Sequence, residues 1–222
     1  MERWLNKILL GDCLDVMREM PDKCVDLVLT DPPYGIGIDA GGFGRTKNIP
    51  HTKFDFTAQW DSTPPPEEVF KEMRRVSKNQ IIFGGNYFIN YLTPTPCYLI
   101  WDKRCGVIPE RTYADCEMAW SSFEKPARIY RFIWDGFIQG DMQNKEKRIH
   151  PTQKPVALIE KIIQDYSKPG DIILDPFLGS GTTVAACINL ERQYIGIEIS
   201  PDYVLASQQR IKKATEQRRL FL

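Results

Sequence analysis

The sequence predicts an α/β protein with a mainly parallel sheet covered by helices. Short apolar runs bounded by turn residues recur along the chain, and many are followed by a segment whose apolar residues have helical spacing. This alternation is typical of parallel strands connected by helices. A chain of 222 residues is long enough for one well-buried core. We therefore expect a single domain over residues 1–222.

The individual elements follow from the same pattern. The predicted strands are Lys7–Leu10, Val25–Thr30, Gln80–Phe83, Cys97–Trp101, Cys116–Ser121, Ile172–Leu174 and Tyr194–Glu198. The predicted helices are Cys13–Met20, Pro66–Ser77, Pro155–Tyr166, Gly181–Asn189 and Pro201–Thr215. Residues 35–61 are rich in glycine and polar side chains without a sustained period, which predicts a long loop, and such loops in compact domains are usually functional or disordered. Residues 127–150 mix aromatic and charged side chains in no clear register.

The composition excludes several classes of protein. With 42% hydrophobic and 26% charged residues, the chain resembles an ordinary soluble globular protein. No apolar run approaches the ~20 residues needed to span a bilayer, so we expect no membrane partner. The first residues lack the basic-then-apolar pattern of a secretory signal, which predicts a cytoplasmic location. Six cysteines without a CxxC pair, and only two histidines, cannot assemble a zinc site, so we expect reduced thiols and no metal.

The overall charge does not indicate a nucleic-acid-binding protein. The 29 basic and 29 acidic residues give a formal net charge of zero, whereas a strongly basic balance is typical of such proteins. Any nucleic-acid role must therefore depend on local patches, each of which is equally consistent with a solvated face. The candidate patches are Arg45, Lys47, His51 and Lys53; Lys125, Arg128, Arg131, Lys145, Lys147 and Arg148; and Arg210, Lys212, Lys213, Arg218 and Arg219.

A glycine-rich turn follows the predicted strand Ile172–Leu174. The turn reads Asp175-Pro176-Phe177-Leu178-Gly179-Ser180-Gly181-Thr182-Thr183. Open α/β sheets bind ligands at the carboxyl ends of their strands, and glycines let the backbone approach a ligand closely. The next strand ends at Glu198, about 20 residues past the glycines, where an acidic side chain in this architecture binds ribose hydroxyls. Together these features indicate an adenosine-containing cofactor.

Other readings of the glycine-rich turn are less consistent with the sequence. A phosphate-binding P-loop would need a lysine after Gly181, and the residue there is Thr182. A dinucleotide site would require a third glycine, as in GxGxxG, but Thr183 and Val184 occupy that part of the sequence. A lone GxG is more often an ordinary tight turn, and it is the spacing to Glu198 that favours a cofactor site.

A second motif, Asp31-Pro32-Pro33-Tyr34, follows the apolar strand Val25–Thr30. It should therefore lie at a carboxyl strand end beside the glycine-rich turn, and its two prolines make it rigid. An exocyclic amine on a base is a poor nucleophile because its lone pair is delocalised into the ring. The Asp31 carboxylate and the Pro32 carbonyl can each accept one N–H, which aims the lone pair at a methyl sulfonium. Tyr34 can stack on a base that has left the duplex. The structural alternative is a proline-stiffened turn capped by aspartate.

In these two motifs the chain resembles the amino-methylating DNA methyltransferases with a DPPY motif. The DPPY precedes the cofactor turn, which is the circularly permuted order called the beta class. The resemblance implies a three-layer Rossmann-like fold with a mixed seven-stranded sheet, in which Cys116–Ser121 is the antiparallel strand. It implies S-adenosylmethionine as cofactor and double-stranded DNA as partner; a homodimer and a cognate restriction endonuclease are open possibilities.

The resemblance also implies roles for individual residues. Catalysis would use Asp31, Pro32, Pro33 and Tyr34. Asp12 would meet the cofactor adenine, Glu198 its ribose, and Thr152 and Lys154 of the HPTQKP segment its methionine carboxylate, although a lysine near a helix start is otherwise usually solvated. The implied cofactor-binding residues are Asp12, Cys13, Asp31, Thr152, Lys154, Asp175, Phe177, Gly179, Ser180, Gly181, Thr182 and Glu198. The implied substrate-binding residues are Tyr34, Gly85, Asn86, Arg45, Lys47 and Lys53.

The target of methylation is the least determined feature. Relatives with DPPY are mostly adenine enzymes, so adenine N6 is favoured over cytosine N4, whose chemistry is the same; RNA is a further possibility. The segment that would read the DNA sequence spans only about 123–149, which leaves the mode of recognition open. A non-catalytic DNA- or cofactor-binding protein and an NAD-dependent oxidoreductase are the alternatives from other classes, disfavoured respectively by the presence of both Asp31 and Lys154 and by the missing third glycine.

Overall fold

The computed structural model describes residues 1–37, 61–107, 114–135, 138–143, 145–146 and 153–219. Four predicted ligand-binding residues lie outside the described residues, namely Arg45, Lys47, Lys53 and Thr152. Most of the predicted long loop at 35–61 and part of the segment 123–149 also lie outside them. None of the helices in the described part of the chain combines the length and hydrophobicity that crossing a bilayer requires.

Strands and helices alternate along most of the chain, as predicted. The elements are β1 (Lys7–Leu10), α1 (Cys13–Arg18), β2 (Val25–Thr30), α2 (Glu67–Val76), β3 (Ser77–Phe83), β4 (Tyr98–Asp102), β5 (Cys116–Ser121), β6 (Arg128–Arg131), β7 (Trp134–Asp135), β8 (Ile138–Gln139), α3 (Val156–Tyr166), β9 (Ile172–Asp175), α4 (Thr182–Asn189), β10 (Gln193–Glu198) and α5 (Pro201–Arg219). The predicted boundaries of all seven strands and five helices agree with these bounds to within about four residues, because long periodic segments separated by Pro, Gly and Asp are the clearest signals.

Within the described residues, eight strands form one mixed sheet in the order β1-β10-β9-β2-β3-β5-β4-β6. β5 runs antiparallel to both of its neighbours and the other pairs are parallel, which confirms the predicted antiparallel strand. The predicted number of seven strands is wrong, because β6 pairs with the outer side of β4. An edge strand is only partly covered, and of the four residues of β6 only Tyr130 is buried. The flanking arginines therefore obscured its alternation in the sequence.

Two hydrophobic cores cover opposite faces of the sheet. Leu29 of β2 packs in one core with Ile163 of α3, whereas its neighbour Val28 packs in the other with Met17 of α1 and Phe70 of α2. Successive residues of a strand point to opposite faces, so helices α1 and α2 cover one side, and α3 and α4 cover the other. Helix α5 packs beside α4. The predicted three-layer α/β architecture is confirmed.

The sheet order brings two distant parts of the sequence to one edge. β2 and β9 are parallel neighbours, with Leu27 paired to Ile173 and Val28 to Leu174. Their carboxyl ends therefore lie side by side, and the residues that follow them are the DPPY segment and the glycine-rich turn. The antiparallel β5 begins at this same edge, since Cys116 is paired with Asp102 at the end of β4.

Candidate active site

A pocket opens at the shared edge, between the DPPY segment and the glycine-rich turn. Most of the predicted cofactor residues that the structure describes line it: Asp12, Cys13, Asp31, Lys154, Asp175, Phe177, Glu198, Gly179, Ser180 and Thr182. Gly181 is the exception, because it is the N-cap of α4 and packs toward α5, where a Cβ would lie 2.7 Å from Cβ of Ser207. Phe83 at the end of β3 also lines the pocket, and the lining residues that the sequence did not indicate include Leu29, Gln153, Ile159, Ile199 and Tyr203.

The glycine-rich turn needs its glycines for backbone reasons. Gly179 and Gly181 have φ angles of +52° and +76°, in the left-handed region where a side chain is strained. The turn closes on the next strand, since the backbone N–H of Gly179 donates to Oε2 of Glu198 at 2.8 Å. A side chain at either glycine would strain the turn, and at Gly181 it would also clash with Ser207.

Glu198 ends β10 with its carboxylate buried, being only 8% exposed. Besides the Gly179 N–H, it accepts the backbone N–H of Ser200 through Oε1 at 2.8 Å. Burial raises the pKa of this carboxyl group, and the two N–H donors work against that rise. The arrangement fixes an acidic acceptor at the pocket wall, as the sequence predicted.

Asp175 ends β9 and is held entirely by neutral donors. The hydroxyls of Thr30 and Thr183 donate to its two oxygens at 2.7 and 2.6 Å, and the backbone N–H of Phe177 donates at 3.1 Å. The side chain is 4% exposed, and burial raises its pKa to about 6. These bonds join the glycine-rich turn to the end of β2, and Asp175 also lies among the residues that line the pocket.

Asp12 and Cys13 lie at the start of α1, on the rim of the pocket. Asp12 is the N-cap of the helix, and its Oδ1 accepts the backbone N–H of Leu14 at 2.7 Å. Burial and the neighbouring Asp12 raise the pKa of the Cys13 thiol to about 12. The thiol is therefore neutral at physiological pH and is not a nucleophile.

The DPPY segment forms a compact charged cluster with Lys154. The Lys154 ammonium is bonded to Oδ2 of Asp31 and lies 3.2 Å from Oε2 of Glu117, which projects from β5. Lys154 is 7% exposed, whereas Asp31 and Glu117 each keep 26% of their side-chain surface exposed. Its ammonium also lies 4.4 Å from the centre of the Phe83 ring. The sequence predicted that Lys154 would contact the cofactor; in the structure its ammonium is bonded to the Asp31 carboxylate.

These charges shift the pKa of each partner. Burial raises the pKa of Asp31, and the attraction of Lys154 opposes that rise. Burial disfavours the charged form of Lys154, but the attraction of the Asp31 and Glu117 carboxylates is stronger than this effect and raises the pKa of Lys154. Burial alone would likewise raise the pKa of Glu117, but the ammonium groups of Lys154 and Lys103 lower it. Lys154 is therefore charged, and it stabilises the ionised form of both acids.

Tyr34 connects the cluster to an aromatic stack. Its hydroxyl donates to Oδ1 of Asp31 at 2.6 Å, and its ring stacks on that of Tyr87 with centres 4.7 Å apart. Burial and the Asp31 carboxylate raise the pKa of Tyr34 well above its usual value. Gly84 makes room for the ring: with φ +69°, a Cβ there would lie 2.2 Å from Cε1 of Tyr34. The phenol is thus a neutral donor in a fixed position.

The turn after β3 supplies the predicted residues Gly85 and Asn86. The N–H of Gly85 donates to the carbonyl of Met118 on β5, and a Cβ on Gly85 would lie 2.5 Å from Cβ of Trp120. Gly85 therefore serves strand packing. Asn86 is exposed in the turn beside Tyr87, which is 47% exposed. Neither residue is among those that line the pocket.

Some members of two of the basic patches considered from the sequence lie away from the pocket edge or make contacts within the protein. Arg128 is paired with Leu99 near the start of β4, at the opposite edge of the sheet from Asp31, and Lys125 donates to the carbonyl of Asp165 at the end of α3. Arg210 of the tail is an internal residue, since its guanidinium contacts the hydroxyl of Thr182 at 3.0 Å and the carboxylate of Glu146 at 3.0 Å. It thus secures the glycine-rich turn.

Sequence reasoning missed Glu117. The available signal was that Glu117 is the one charged residue in the predicted strand Cys116–Ser121. A charged side chain in a mostly apolar strand can mark a functional position. Within the described ranges, no cluster of three or more His, Cys, Asp or Glu side chains is placed to hold a metal ion. All six cysteines are free.

The mixed α/β sheet, with a glycine-rich turn and a DPPY segment at one edge, defines a methyltransferase-type domain. Comparisons with known proteins agree: a DNA methylase family model for N6 and N4 methyltransferases matches residues 110–209. The chain is 30% identical to the type II methyltransferase M.HinfI of Haemophilus influenzae, over 95% of this chain and 69% of that protein. It is 28% identical to M.HpaI of Haemophilus parainfluenzae, over 92% and 74%.

Solved structures share the fold. The M1.HpyAVI complex with S-adenosylmethionine aligns with a TM-score of 0.56 at 24% identity, over 92% of this chain and 98% of that one. The cytosine-N4-specific PvuII DNA methyltransferase aligns with a TM-score of 0.61 at 17% identity, over 95% and 90%. The chain belongs to the DNA amino-methyltransferases, the family that methylates adenine N6 or cytosine N4.

Proposed function

We propose that this protein transfers a methyl group from S-adenosylmethionine to the N6 amino group of a flipped-out adenine in double-stranded DNA. The observation that carries the proposal is the position of Asp31. Its carboxylate lies at the end of β2, next to the glycine-rich turn after β9, and one of its oxygens is oriented by the Tyr34 hydroxyl. An acceptor for an amine N–H thus lies in the same pocket as the candidate cofactor wall.

The pocket residues fit S-adenosylmethionine. Glu198 offers a buried acceptor suited to ribose hydroxyls, and the positive-φ Gly179 keeps the backbone close to the pocket. Asp12 would meet the adenine, with Phe177 and Ser180 along the wall. The M1.HpyAVI complex, which shares the fold, was solved with this ligand. When bound, the cofactor supplies an electrophilic methyl group on a sulfonium.

The residues of the chain orient and activate the amine. The Asp31 carboxylate and the Pro32 carbonyl each accept one N–H of the amino group, which localises the nitrogen lone pair and directs it in line with the methyl group. The new N–C bond forms as the S–C bond breaks, and the nitrogen then loses a proton to Asp31 or to water. Tyr34 holds Oδ1 of Asp31, and its ring is the candidate stacking surface for the flipped base.

Adenine is proposed because the DPPY sequence is most common among adenine enzymes. A second candidate is cytosine N4, which is supported by the fold shared with the cytosine-N4-specific PvuII enzyme. The two reactions present the same planar amine to Asp31. The choice of base therefore depends on the shape of the base pocket and on the contacts to the ring edge.

We propose that the segment following the DPPY motif in the sequence takes part in recognition of DNA. The loop at 35–61, with Arg45, Lys47 and Lys53, follows the DPPY segment directly in the sequence and is proposed to contact the duplex beside the flipped base.

We also propose that the motifs follow the beta-class order and that Thr152 contacts the cofactor. We further propose that the protein associates with a second copy of itself and acts with a cognate endonuclease. Protection of methylated plasmid DNA from digestion by a candidate endonuclease would identify the cognate endonuclease.

The decisive experiment is mass spectrometry of nucleosides from DNA incubated with the protein and S-adenosylmethionine. The expected product is N6-methyladenosine as its deoxynucleoside, and N4-methyldeoxycytidine would replace the first candidate by the second. Asp31→Asn serves as the matched control, because it keeps the side-chain shape while removing the carboxylate. Absence of both methylated nucleosides with the wild-type protein, across a panel of DNA sequences, would reject the proposal.

A further inference from the structure

Glu117 lies where no motif placed a functional residue, at the beginning of the antiparallel strand β5. Its backbone is paired with Trp101 at the end of β4, so its side chain leaves the sheet at the edge that carries Asp31. Oε2 lies 3.2 Å from the Lys154 ammonium, and Oε1 lies 3.3 Å from that of Lys103. Glu117 thus connects the catalytic cluster to a second cation.

Both oxygens of Asp31 are occupied in this arrangement. Oδ1 accepts the hydroxyl of Tyr34, and Oδ2 accepts the ammonium of Lys154. An amino group that donates an N–H to Asp31 must therefore share or displace one of these donors. Lys154 is the donor that can move, because it has a flexible stem, whereas the Tyr34 ring is fixed by Gly84 and by its stack on Tyr87.

Releasing Lys154 from Asp31 would be unfavourable if Asp31 were its sole partner. The lysine side chain is 7% exposed, and a buried ammonium without a carboxylate is strongly destabilised. Glu117 removes this obstacle, because its carboxylate already lies within ion-pair distance of the ammonium. Lys154 can then stay paired while Oδ2 becomes available to the substrate.

We propose that Glu117 is a positioning residue of the methyl-transfer site, which retains the Lys154 ammonium while Asp31 exchanges that contact for the amino group of the base. This inference rests on the proposed function. Glu117 itself contacts neither reacting atom, and it acts through Lys154. The proton balance of the reaction is unchanged, since Lys154 keeps its proton throughout.

The charged groups around Asp31 predict how changes at this site alter the pH dependence. The titratable groups that face it are the neutral phenol of Tyr34 from the same loop, Lys154 from the segment before α3, Glu117 from β5 and Asp175 from β9, with Lys103 behind Glu117. Burial is the largest cause of the raised pKa of Asp31, and the negative charge of Glu117 adds to it. Removing that charge lowers the pKa of Asp31, so the acid limb of the rate profile should move to lower pH.

The test is the pH profile of methyl transfer by Glu117→Gln. We expect kcat to fall about tenfold or more, because Lys154 is then bound by Asp31 alone, with a much smaller change in KM for S-adenosylmethionine. The acid limb of kcat/KM should move to lower pH. Glu117→Asp, which keeps the charge, should recover part of the rate.

The matched control is Glu72→Gln on α2, the same substitution at a carboxylate that is also ion-paired and largely buried, with 19% of its side chain exposed. Its profile should be that of the wild type. A second variant, Lys103→Met, removes the cation that neutralises Glu117 without touching Asp31 or Lys154. It should move the acid limb in the opposite direction, to higher pH, and it provides the test if Glu117→Gln fails to fold.

The outcomes separate the two proposals. If the wild-type protein transfers no methyl group to DNA, the proposed function fails. If the wild type is active but Glu117→Gln matches Glu72→Gln in kcat and pH profile, the role of Glu117 is rejected. A lower rate with an unshifted acid limb, or equal shifts for Glu117→Gln and Lys103→Met, would show a merely structural contribution and would also overturn the inference.

Discussion

Asp31 and Asp175 lie at the ends of neighbouring strands, yet their surroundings differ in kind. Asp175 is held by two hydroxyls and one backbone N–H, all neutral and all provided by short, buried groups. Asp31 is held by a lysine and a phenol, and 26% of its side chain stays exposed to the pocket. Neutral donors fixed by the backbone make a carboxylate part of the framework. A charged, flexible partner keeps a carboxylate ionised while leaving it free to exchange contacts with a substrate.

The largest effect should follow from neutralising the exchangeable carboxylate. Asp31→Asn is expected to lower kcat by about 10³-fold, because the amide is a weaker acceptor for the amine N–H and presents a donor of its own. Binding of S-adenosylmethionine, measured by calorimetry, and the melting temperature should change little. Turnover within a factor of ten of the wild type would contradict the role of Asp31.

Asp175 should instead determine stability as a function of pH. Its folded pKa of about 6 lies above its ordinary value of 3.8, so the folded state binds the proton more tightly than the unfolded state. The stabilisation is complete below the ordinary pKa and is lost as the pH rises through about 6, amounting to about 3 kcal/mol at most. Asp175→Asn removes this titration. Denaturant unfolding at pH 4, 5, 6 and 7 should give a difference from the wild type that varies across this interval, and a constant difference would contradict the assignment.

The fixed position of the Tyr34 ring can be tested with two glycines of matched backbone conformation. Gly84 and Gly106 have φ angles of +69° and +70°, but among the residues that the structure describes only Gly84 has a neighbour in the space of a Cβ, the Tyr34 ring. Alanine at either position should cost about 1 kcal/mol of unfolding free energy from the backbone. Gly84→Ala should lose about 1–3 kcal/mol more from overpacking and should also slow methyl transfer. Equal stabilities and rates for the two variants would show that the Tyr34 ring shifts freely.

The smallest effect is expected at Glu198, the fixed carboxylate of the candidate cofactor wall. Glu198→Gln keeps one acceptor for the N–H groups of Gly179 and Ser200 but loses the charge. We expect about tenfold weaker binding of S-adenosylmethionine, which corresponds to about 1.4 kcal/mol, with kcat at saturation nearly unchanged. The affinity for S-adenosylmethionine is measured from binding isotherms at pH 7.5. A large loss of kcat with unaltered affinity would place Glu198 in the catalytic rather than the cofactor-binding part of the pocket.

Much of the fold was predictable because the strands next to the site are buried on both faces. Val25–Thr30 and Ile172–Leu174 are apolar runs that end at polar turns, and the structure gives them nearly the same bounds. β6 was not predictable, because an edge strand buries only one of its four residues and its arginines break the pattern. The prediction fails where burial, which generates the periodic signal, is incomplete.

The candidate site divides in the same way. The residues of Asp31–Tyr34 and Gly179–Thr182 are contiguous in sequence, so their motifs were visible. Glu117 is brought in by the pairing of β5 with β4, and its role depends on one contact across the pocket. Arg210 looked like part of a basic tail, and only the packing of α5 beside α4 shows that it is internal. Single residues contributed by tertiary structure leave no local signature.

The bond from the hydroxyl of Thr30 to Asp175 has a consequence for the accuracy of the reaction. It joins the last residue of β2 to the last residue of β9, directly beneath the two loops that would carry the amine acceptor and the methyl donor. A slip of one residue between these strands would shift one loop by about 3.3 Å along the strand direction, which is comparable to the whole separation of reacting atoms in a near-attack geometry, about 3–3.5 Å. The register between β2 and β9 therefore sets the distance between the two loops, and the buried hydroxyl of Thr30 helps to hold that register.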